Sequence, residues 1–122
     1  MAAIADSVLD AALNEIKNNA EQLYICSAEP ANYAGIAAVT LGNKATPAIT
    51  GPADRSGGGR ELTFTAITDG SITATGTASH VVVADVTGTT LLFSKALSST
   101  QAVTNGNPFT LNSFKVGFPD PA

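Results

Sequence analysis

The chain has 122 residues and a formal net charge of −4, and only 13% of its residues are charged although 44% are hydrophobic. Typical soluble domains carry about 25% charged residues, so Thr, Ser, Asn and Gly supply much of this surface. The basic residues are scattered singly, which excludes the clustered Lys and Arg that bind a phosphate backbone. No apolar run approaches the length of a membrane span. We therefore expect neither nucleic acid nor membrane as a partner.

The whole length, residues 1–122, fits a single domain, and a chain of this size buries a core without disulfides or metals. Its one cysteine, Cys26, excludes an intrachain disulfide, and the apolar neighbours Leu23 and Ile25 predict a buried thiol. The first residues lack both a basic leader and an apolar signal core. We therefore expect cytoplasmic synthesis without a cleaved secretion signal.

Residues 6–19 are predicted to form an N-terminal helix. Leu9, Leu13 and Ile16 recur at helical spacing, and Asp6-Ser7 can cap the first turn. Half of the acidic residues fall in this helix and just after it: Asp6, Asp10, Glu15, Glu21 and Glu29. Such a face is usually solvated, and the alternative is a contact face for a basic partner.

A central hairpin is the strongest β signal in the sequence. Residues 60–66 and 72–78 alternate apolar and polar side chains with the period of two that a strand gives its two faces. Asp69-Gly70 lies between them, and such a pair readily supplies the backbone dihedrals of a tight hairpin turn. We therefore predict that these two strands pair and that the rest of the chain packs against them.

Shorter strands are predicted before this hairpin. Residues 22–27 form the first strand, and residues 39–41 and 45–50 form two more around a turn at Gly42-Asn43. Pro47 places the last of these at a sheet edge, because proline cannot donate a ladder hydrogen bond. The glycine-rich stretch 51–59 is predicted as a flexible loop.

Further strands are predicted after the hairpin, and the apolar run 81–84 belongs in the middle of a sheet. The other predicted elements are a turn at Thr87-Gly88, a strand at 91–97, a turn at Ser98-Ser99, a strand at 100–104, a hairpin turn at Asn105-Gly106 and a bulge or bend at Asn112-Ser113. About seven or eight short strands at this spacing indicate an all-β protein. The predicted fold is an antiparallel β-sandwich (Ig-like or jelly-roll-like) over residues 22–118, with one N-terminal helix and an extended tail at 119–122.

No residue set predicts catalysis, a cofactor or a metal site, so we expect a protein that is not an enzyme. Ser79, His80 and Asp85 have the residue types of a hydrolytic triad, but adjacent strand residues point to opposite faces. We interpret His80 as a strand residue with an ordinary hydrogen bond. Gly57-Gly58-Gly59 lacks the Lys-Ser or Lys-Thr of a phosphate-binding loop. Cys26 and His80 are isolated, and the carboxylates lack calcium-loop spacing.

Several strings, distributed in order along most of the chain, resemble small structural proteins of tailed-bacteriophage virions. They are LYICSAEP (23–30), LGNK (41–44), PAD (52–54) leading to GGR (58–60), DGSITATGTASH (69–80), LL (91–92), ALS (96–98) and GNPFTL (106–111). Proteins of this kind begin with a helix and continue as a β-sandwich. They serve as capsid decoration (cement) proteins, or as small fibre or tail-associated parts.

The resemblance implies a structural virion protein, synthesised in the host cytoplasm, that binds the outside of a tailed-phage capsid and bridges major capsid subunits. It also implies self-association as a dimer or trimer. The alternative is a small tail- or fibre-associated module that recognises host-surface glycans. Candidate contact residues lie in the N-terminal segment and helix, in the glycine-rich stretch with the strand that follows, and in the tail: Ala2, Ile4, Asp6, Asp10, Lys17, Asp54, Arg55, Arg60, Pro119 and Asp120.

Overall fold

The computed structural model describes residues 5–118 and is 54% strand and 18% helix. Its elements are α1 (Asp6–Asn19), β1 (Gln22–Cys26), a 3-10 turn (Tyr33–Gly35), α2 (Ile36–Val39), β2 (Thr40–Ala45), β3 (Ile49–Asp54), β4 (Arg60–Phe64), β5 (Ile67–Ile72), β6 (Gly76–Asp85), β7 (Thr90–Val103), β8 (Pro108–Leu111) and β9 (Phe114–Phe118). An N-terminal helix with two antiparallel sheets confirms the predicted all-β, sandwich-like fold class. The predicted tail, residues 119–122, lies outside the described residues.

The chain forms two compact units, and successive segments of the sequence belong to one unit and then to the other. One, here the three-strand unit, contains α1 and a sheet in the order β3-β4-β9. The other, the six-strand unit, contains α2 and a sheet in the order β7-β6-β1-β2-β5-β8. The single-domain interpretation stays a prediction.

The centre of the six-strand unit is apolar on both faces of its sheet. The run from Val81 to Ala84 is buried, and β6 lies between β7 and β1, as predicted for this segment. On one face, Cys26 of β1 packs with Val82 of β6 beneath Ile36 of α2. The 3-10 turn and α2 lie in the connection between β1 and β2, and they cover that face.

The six-stranded sheet is curled rather than flat. Its edge strands β7 and β8 are joined by residues 104–107 alone, a link that spans at most about 18 Å. The edges of a flat sheet of this width would lie roughly 24 Å apart. Gly106 donates its backbone N–H to the Ile72 carbonyl at 3.1 Å, and Asn105 donates its own to Thr75 Oγ1 at 3.0 Å, so the link crosses the end of β5.

The three-strand unit combines a helix with a small sheet. α1 has the predicted bounds, packs against β4 and β3, and buries Leu9, Leu13 and Ile16. On β4, Leu62 and Phe64 are buried, and the Phe64 ring stacks on Phe114 of β9 with centroids 4.7 Å apart. The strand predicted at 60–66 is therefore confirmed over residues 60–64, and β4 ends at Phe64.

The predicted central hairpin is wrong, because residues 60–64 form β4 in one sheet, whereas residues 72–78 run from the end of β5 to the start of β6 in the other. Asp69-Gly70 lies inside β5 and makes no turn. Glycine is needed at position 70 for space: a Cβ there would lie 2.0 Å from Cε2 of Phe109 on β8. Asp69 instead forms an ion pair with Lys44 of β2 at 3.1 Å. The pair that resembles a turn is therefore a packing site.

Two earlier predictions also fail at glycines. Gly42-Asn43 lies within the continuous strand β2, where a Cβ on Gly42 would lie 2.4 Å from the Ser71 carbonyl oxygen of β5. The predicted loop at 51–59 is too long, because its first four residues belong to β3. The rest is a hydrogen-bonded turn, in which the N–H of Arg55 donates to the Gly59 carbonyl at 3.0 Å.

Three later predictions fail in pairing, and the structure has nine described strands where seven or eight were predicted. Ser98-Ser99 lies within β7, where residues 97–100 bulge opposite the single residue Ser79. Asn105-Gly106 is a turn but not a hairpin, because β7 and β8 are on opposite edges of their sheet. Asn112-Ser113, predicted as a bulge or bend, instead connects β8 in one sheet to β9 in the other.

Candidate functional site

Arg60 is the centre of a polar cluster that ties α1 to the sheet. Its Nε donates to Asp10 Oδ1 at 2.8 Å, and its Nη2 donates to Asp10 Oδ2 at 3.3 Å. On β3, Nη1 donates to Asp54 Oδ1 at 2.7 Å and Nη2 donates to the Pro52 carbonyl at 3.3 Å. The planar fork of a guanidinium suits this position, because it can bind one carboxylate through two nitrogens.

The two ion pairs of Arg60 differ in exposure. The side chains of Arg60 and Asp10 are 18% and 29% exposed, whereas that of Asp54 is 88% exposed. Hydrogen bonds to Asp10 first, and to Asp54 second, raise the pKa of Arg60 above its usual range, so the guanidinium stays charged. Salt should screen the sheltered Asp10 pair less than the Asp54 pair.

Lys17 gives α1 a second anchor, because its Nζ donates to the Gly51 carbonyl of β3 at 2.8 Å. Asp10 and Lys17 are two turns apart and lie on the same side of the helix. Both bind atoms of β3 or β4. With the buried stripe of α1, these contacts fix the rotation of the helix about its own axis.

The structure brings together Asp10, Lys17, Asp54 and Arg60, which the sequence had selected as partner contacts. All four bind atoms of the chain itself. The remaining selected residues lie apart from this cluster or outside the described residues: Asp6 is exposed in the first turn of α1, Arg55 Nη1 donates to the Gly58 carbonyl within its own turn at 3.2 Å, and Ala2, Ile4, Pro119 and Asp120 are not described. Their role in binding a partner stays a prediction.

Val8 is a candidate contact residue that the sequence reasoning missed. It is 59% exposed, and its neighbours Ala11 and Ala12 are exposed as well. On a helix with 3.6 residues per turn, Val8 lies roughly 100° from the middle of the buried stripe. The signal was available in the sequence, since a large apolar residue outside the stripe of an amphipathic helix has no core to enter.

Ser79 and His80 are in contact, contrary to the expectation that neighbours in a strand point apart. Ser79 Oγ lies 2.8 Å from His80 Nδ1 and donates its own proton to the Ser27 carbonyl at 2.9 Å. The bulge in β7 opposite Ser79 breaks the regular alternation there. Because the hydroxyl proton goes to Ser27, Nδ1 must be the donor in the contact with Ser79. A base that activates a nucleophile would accept that proton instead.

Two other side chains that could react, Cys26 and Tyr24, are held in their protonated forms by burial. Burial raises the pKa of the Cys26 thiol to about 11, so it is protonated at neutral pH. The pKa of Tyr24 is raised by burial first, with smaller contributions from Tyr33 and Cys26. Over residues 5–118, no three His, Cys, Asp or Glu side chains come together as a metal site would require, and no helix is long and apolar enough to cross a bilayer.

A shallow depression lies where β5 meets β8. Its lining includes the polar side chains of Asp69, Ser71 and Asn107, together with Pro108. These groups offer hydrogen-bond donors and acceptors to a polar ligand.

Comparison with known proteins identifies no relative of this chain. A scan of family models, a search of curated proteins and a search of solved structures each find no match.

Proposed function

We propose that this chain is a structural virion protein that decorates and cements the outside of a tailed-phage capsid by bridging major capsid subunits. The proposal starts from the resemblance of the sequence strings. One structural observation supports it: α1 is locked to its sheet by Arg60 and Lys17, yet it exposes Val8 beside two exposed alanines. A helix already fixed in place loses little conformational entropy when its outer side binds a partner.

The charge of the surface fits the same role. Few residues of the chain are charged, and of the four selected charged residues around α1, Arg60 forms ion pairs with Asp10 and Asp54, while Lys17 donates a hydrogen bond to a backbone carbonyl. A partner that covers Arg60 would therefore leave its guanidinium paired, whereas a broken buried pair would cost roughly 3–5 kcal/mol. The bridging contacts can be individually modest because they repeat over many copies in a shell.

Binding to capsids stripped of this protein tests the role of α1. We expect Val8→Asp to abolish most decoration, since it places a charge in the apolar contact. Val86→Asp is the matched control, because Val86 is also an exposed large hydrophobic residue but lies in the β6–β7 turn. Equal decoration by both variants would exclude α1 as the contact. Decorated heads should also retain DNA under heat or chelator better than stripped heads, and equal loss would exclude cementing.

The alternative, a tail- or fibre-associated module that binds host-surface glycans, draws on the polar depression between β5 and β8. Copy number per virion separates the two proposals: hundreds of copies indicate the shell, and a handful indicate the tail. Gel densitometry of purified particles measures it directly.

A further inference from the structure

The two edges of the three-stranded sheet differ in how they could pair with another strand. β3 contains Pro52, which lacks an N–H, and its register with β4 shifts between Thr50 and Ala53. Both features hinder the addition of a strand. β9 pairs with β4 without interruption over its five residues and contains no proline. Each of those five residues is partly or fully exposed.

The edges of the six-stranded sheet are less suited to pairing. β7 departs from a regular register twice, once opposite Ser79 and once between Val83 and Ala84. β8 has only four residues and begins with Pro108. Among the described strands, β9 is therefore the regular edge, and such an edge can template a further strand.

We propose that β9 is a self-association surface, which pairs antiparallel with β9 of a second copy about a two-fold axis through Val116. The segment Phe-Lys-Val-Gly-Phe matches itself in this arrangement. Val116 faces the same residue of the second copy, and Phe114 faces its Phe118. Aromatic and β-branched pairs across strands stabilise a sheet, and a two-fold contact requires such a self-complementary surface.

The charges on the other face of β9 are complementary in the same register. Lys115 Nζ lies 2.8 Å from Glu61 Oε2 of β4 within one chain. Glu61 pairs with Gly117, and a Cβ on Gly117 would lie 2.9 Å from the Cβ of Glu61, so the glutamate lies against the glycine. Lys115 would stand opposite Gly117 of the second copy, with Glu61 of that copy just beyond. Each ammonium would then lie between two carboxylates, which offsets the repulsion between the two lysines.

This match of side-chain pattern and charge favours a second copy of the chain as the partner of β9. An unrelated strand would have to supply an aromatic residue, a small residue and an acidic neighbour at the same spacing. The inference does not depend on the proposed function, since the dimer forms from this chain alone.

Cysteine cross-linking tests the register. Residues directly opposed in an antiparallel pair have Cα atoms about 4.5–5.5 Å apart, within the roughly 4.4–6.8 Å that a disulfide spans. Mild oxidation should link Val116→Cys into a covalent dimer on a non-reducing gel. Lys115→Cys would place its two thiols diagonally, about 7–8 Å apart by backbone spacing, and should link far less. Val86→Cys places an exposed cysteine in the turn between β6 and β7, away from β9, and should stay monomeric. The buried native Cys26 should not compete.

Sedimentation of the whole chain over a wide concentration series provides a second test. The unaltered protein should approach the mass of two chains as concentration rises. Phe118→Lys should weaken association at least about tenfold and shift the mass toward the 12.3 kDa of one chain. Val86→Lys is the matched control, because both residues are 37% exposed. A monomer at every concentration, a trimer, equal cross-linking at the three cysteine positions, or association of Phe118→Lys like that of the control would each overturn the proposal.

Discussion

The two units of this protein are stabilised by different interactions. In the six-strand unit, the central strands β1 and β6 are apolar on both faces, and the run from Val81 to Ala84 is buried. In the three-strand unit, a buried stripe on α1 is joined by a charged centre at Arg60 that binds α1 and β3. Buried apolar surface carries no charge to screen or titrate, whereas exposed ion pairs are screened by salt and are lost when a change of pH neutralises one partner. The units should therefore fail under different perturbations.

The largest effect should come from overfilling the six-strand unit. Gly70→Ala would place a methyl group 2.0 Å from the Phe109 ring, which is itself buried. We expect the free energy of unfolding, measured by urea titration, to fall by about 1–3 kcal/mol or more. Gly35→Ala is the matched control, because a Cβ there meets Pro30 at an ordinary 3.5 Å and the backbone φ of −75° suits alanine.

A double variant separates this packing role from a turn role. If Gly70 is needed for space, the smaller side chain in Phe109→Leu should make Gly70→Ala less costly than it is beside the native ring. If Gly70 were needed for the backbone dihedrals of a turn, the two costs would add. Additive costs would therefore restore the hairpin interpretation of Asp69-Gly70.

The sequence predicted elements well wherever one local signal decides the structure. The helix at 6–19 and the buried run at 81–84 follow from periodicity and from unbroken apolar character. The pairing of strands was predicted poorly, because it depends on contacts distant in sequence. Gly42 and Gly70 resemble turn residues locally, and only Ser71 and Phe109 reveal that these glycines admit a close neighbour. In the sequence alone, a glycine that allows a turn cannot be distinguished from a glycine that makes room for a neighbouring side chain.

An intermediate effect should come from removing the charged centre of the three-strand unit. Arg60→Met keeps an apolar stem but loses the hydrogen bonds to Asp10, Asp54 and the Pro52 carbonyl. We expect the amides of α1 to exchange with solvent faster, while global unfolding changes less than in Gly70→Ala. Hydrogen exchange resolved by residue measures this.

Arg55→Met is the control for that experiment, since Arg55 donates to the Ser56 and Gly58 carbonyls within its own turn. Added salt should speed exchange of α1 in the unaltered protein only slightly, because the Asp10 pair is sheltered. If Arg60→Met leaves α1 as protected as the control does, the apolar stripe alone holds the helix, and the two units are stabilised alike.

The candidate contact residues show the limit of reading charges from a sequence. Asp10, Lys17 and Arg60 looked available to a partner because charged residues are usually exposed. The fold instead places Lys17 beside Gly51 and Arg60 between α1 and β3. The spacing that brings them together is long in sequence and carries no local pattern. Val8, by contrast, was identifiable from the helical period alone.

The smallest effect should come from a charge in the six-strand unit, at the turn after β6. The backbone N–H of Gly88 donates to Asp85 Oδ1 at 2.9 Å, and this bond first, then a hydrogen bond with the Glu21 side chain, lowers the pKa of Asp85. A lowered pKa means that the folded chain favours the carboxylate. Its contribution is therefore complete above the ordinary aspartate pKa of about 3.9 and is lost as pH falls through the lowered value.

Asp85→Asn removes that charge while keeping the shape. The difference in unfolding free energy between the two proteins should stay constant from neutral pH down to about pH 4 and then shrink on further acidification. Urea titrations at a series of pH values measure it. A difference that grows in acid would mean that the folded state favours the protonated form of Asp85. That result would contradict the hydrogen bond from Gly88, and it would leave the six-strand unit stabilised by its apolar core with no measurable share from this carboxylate.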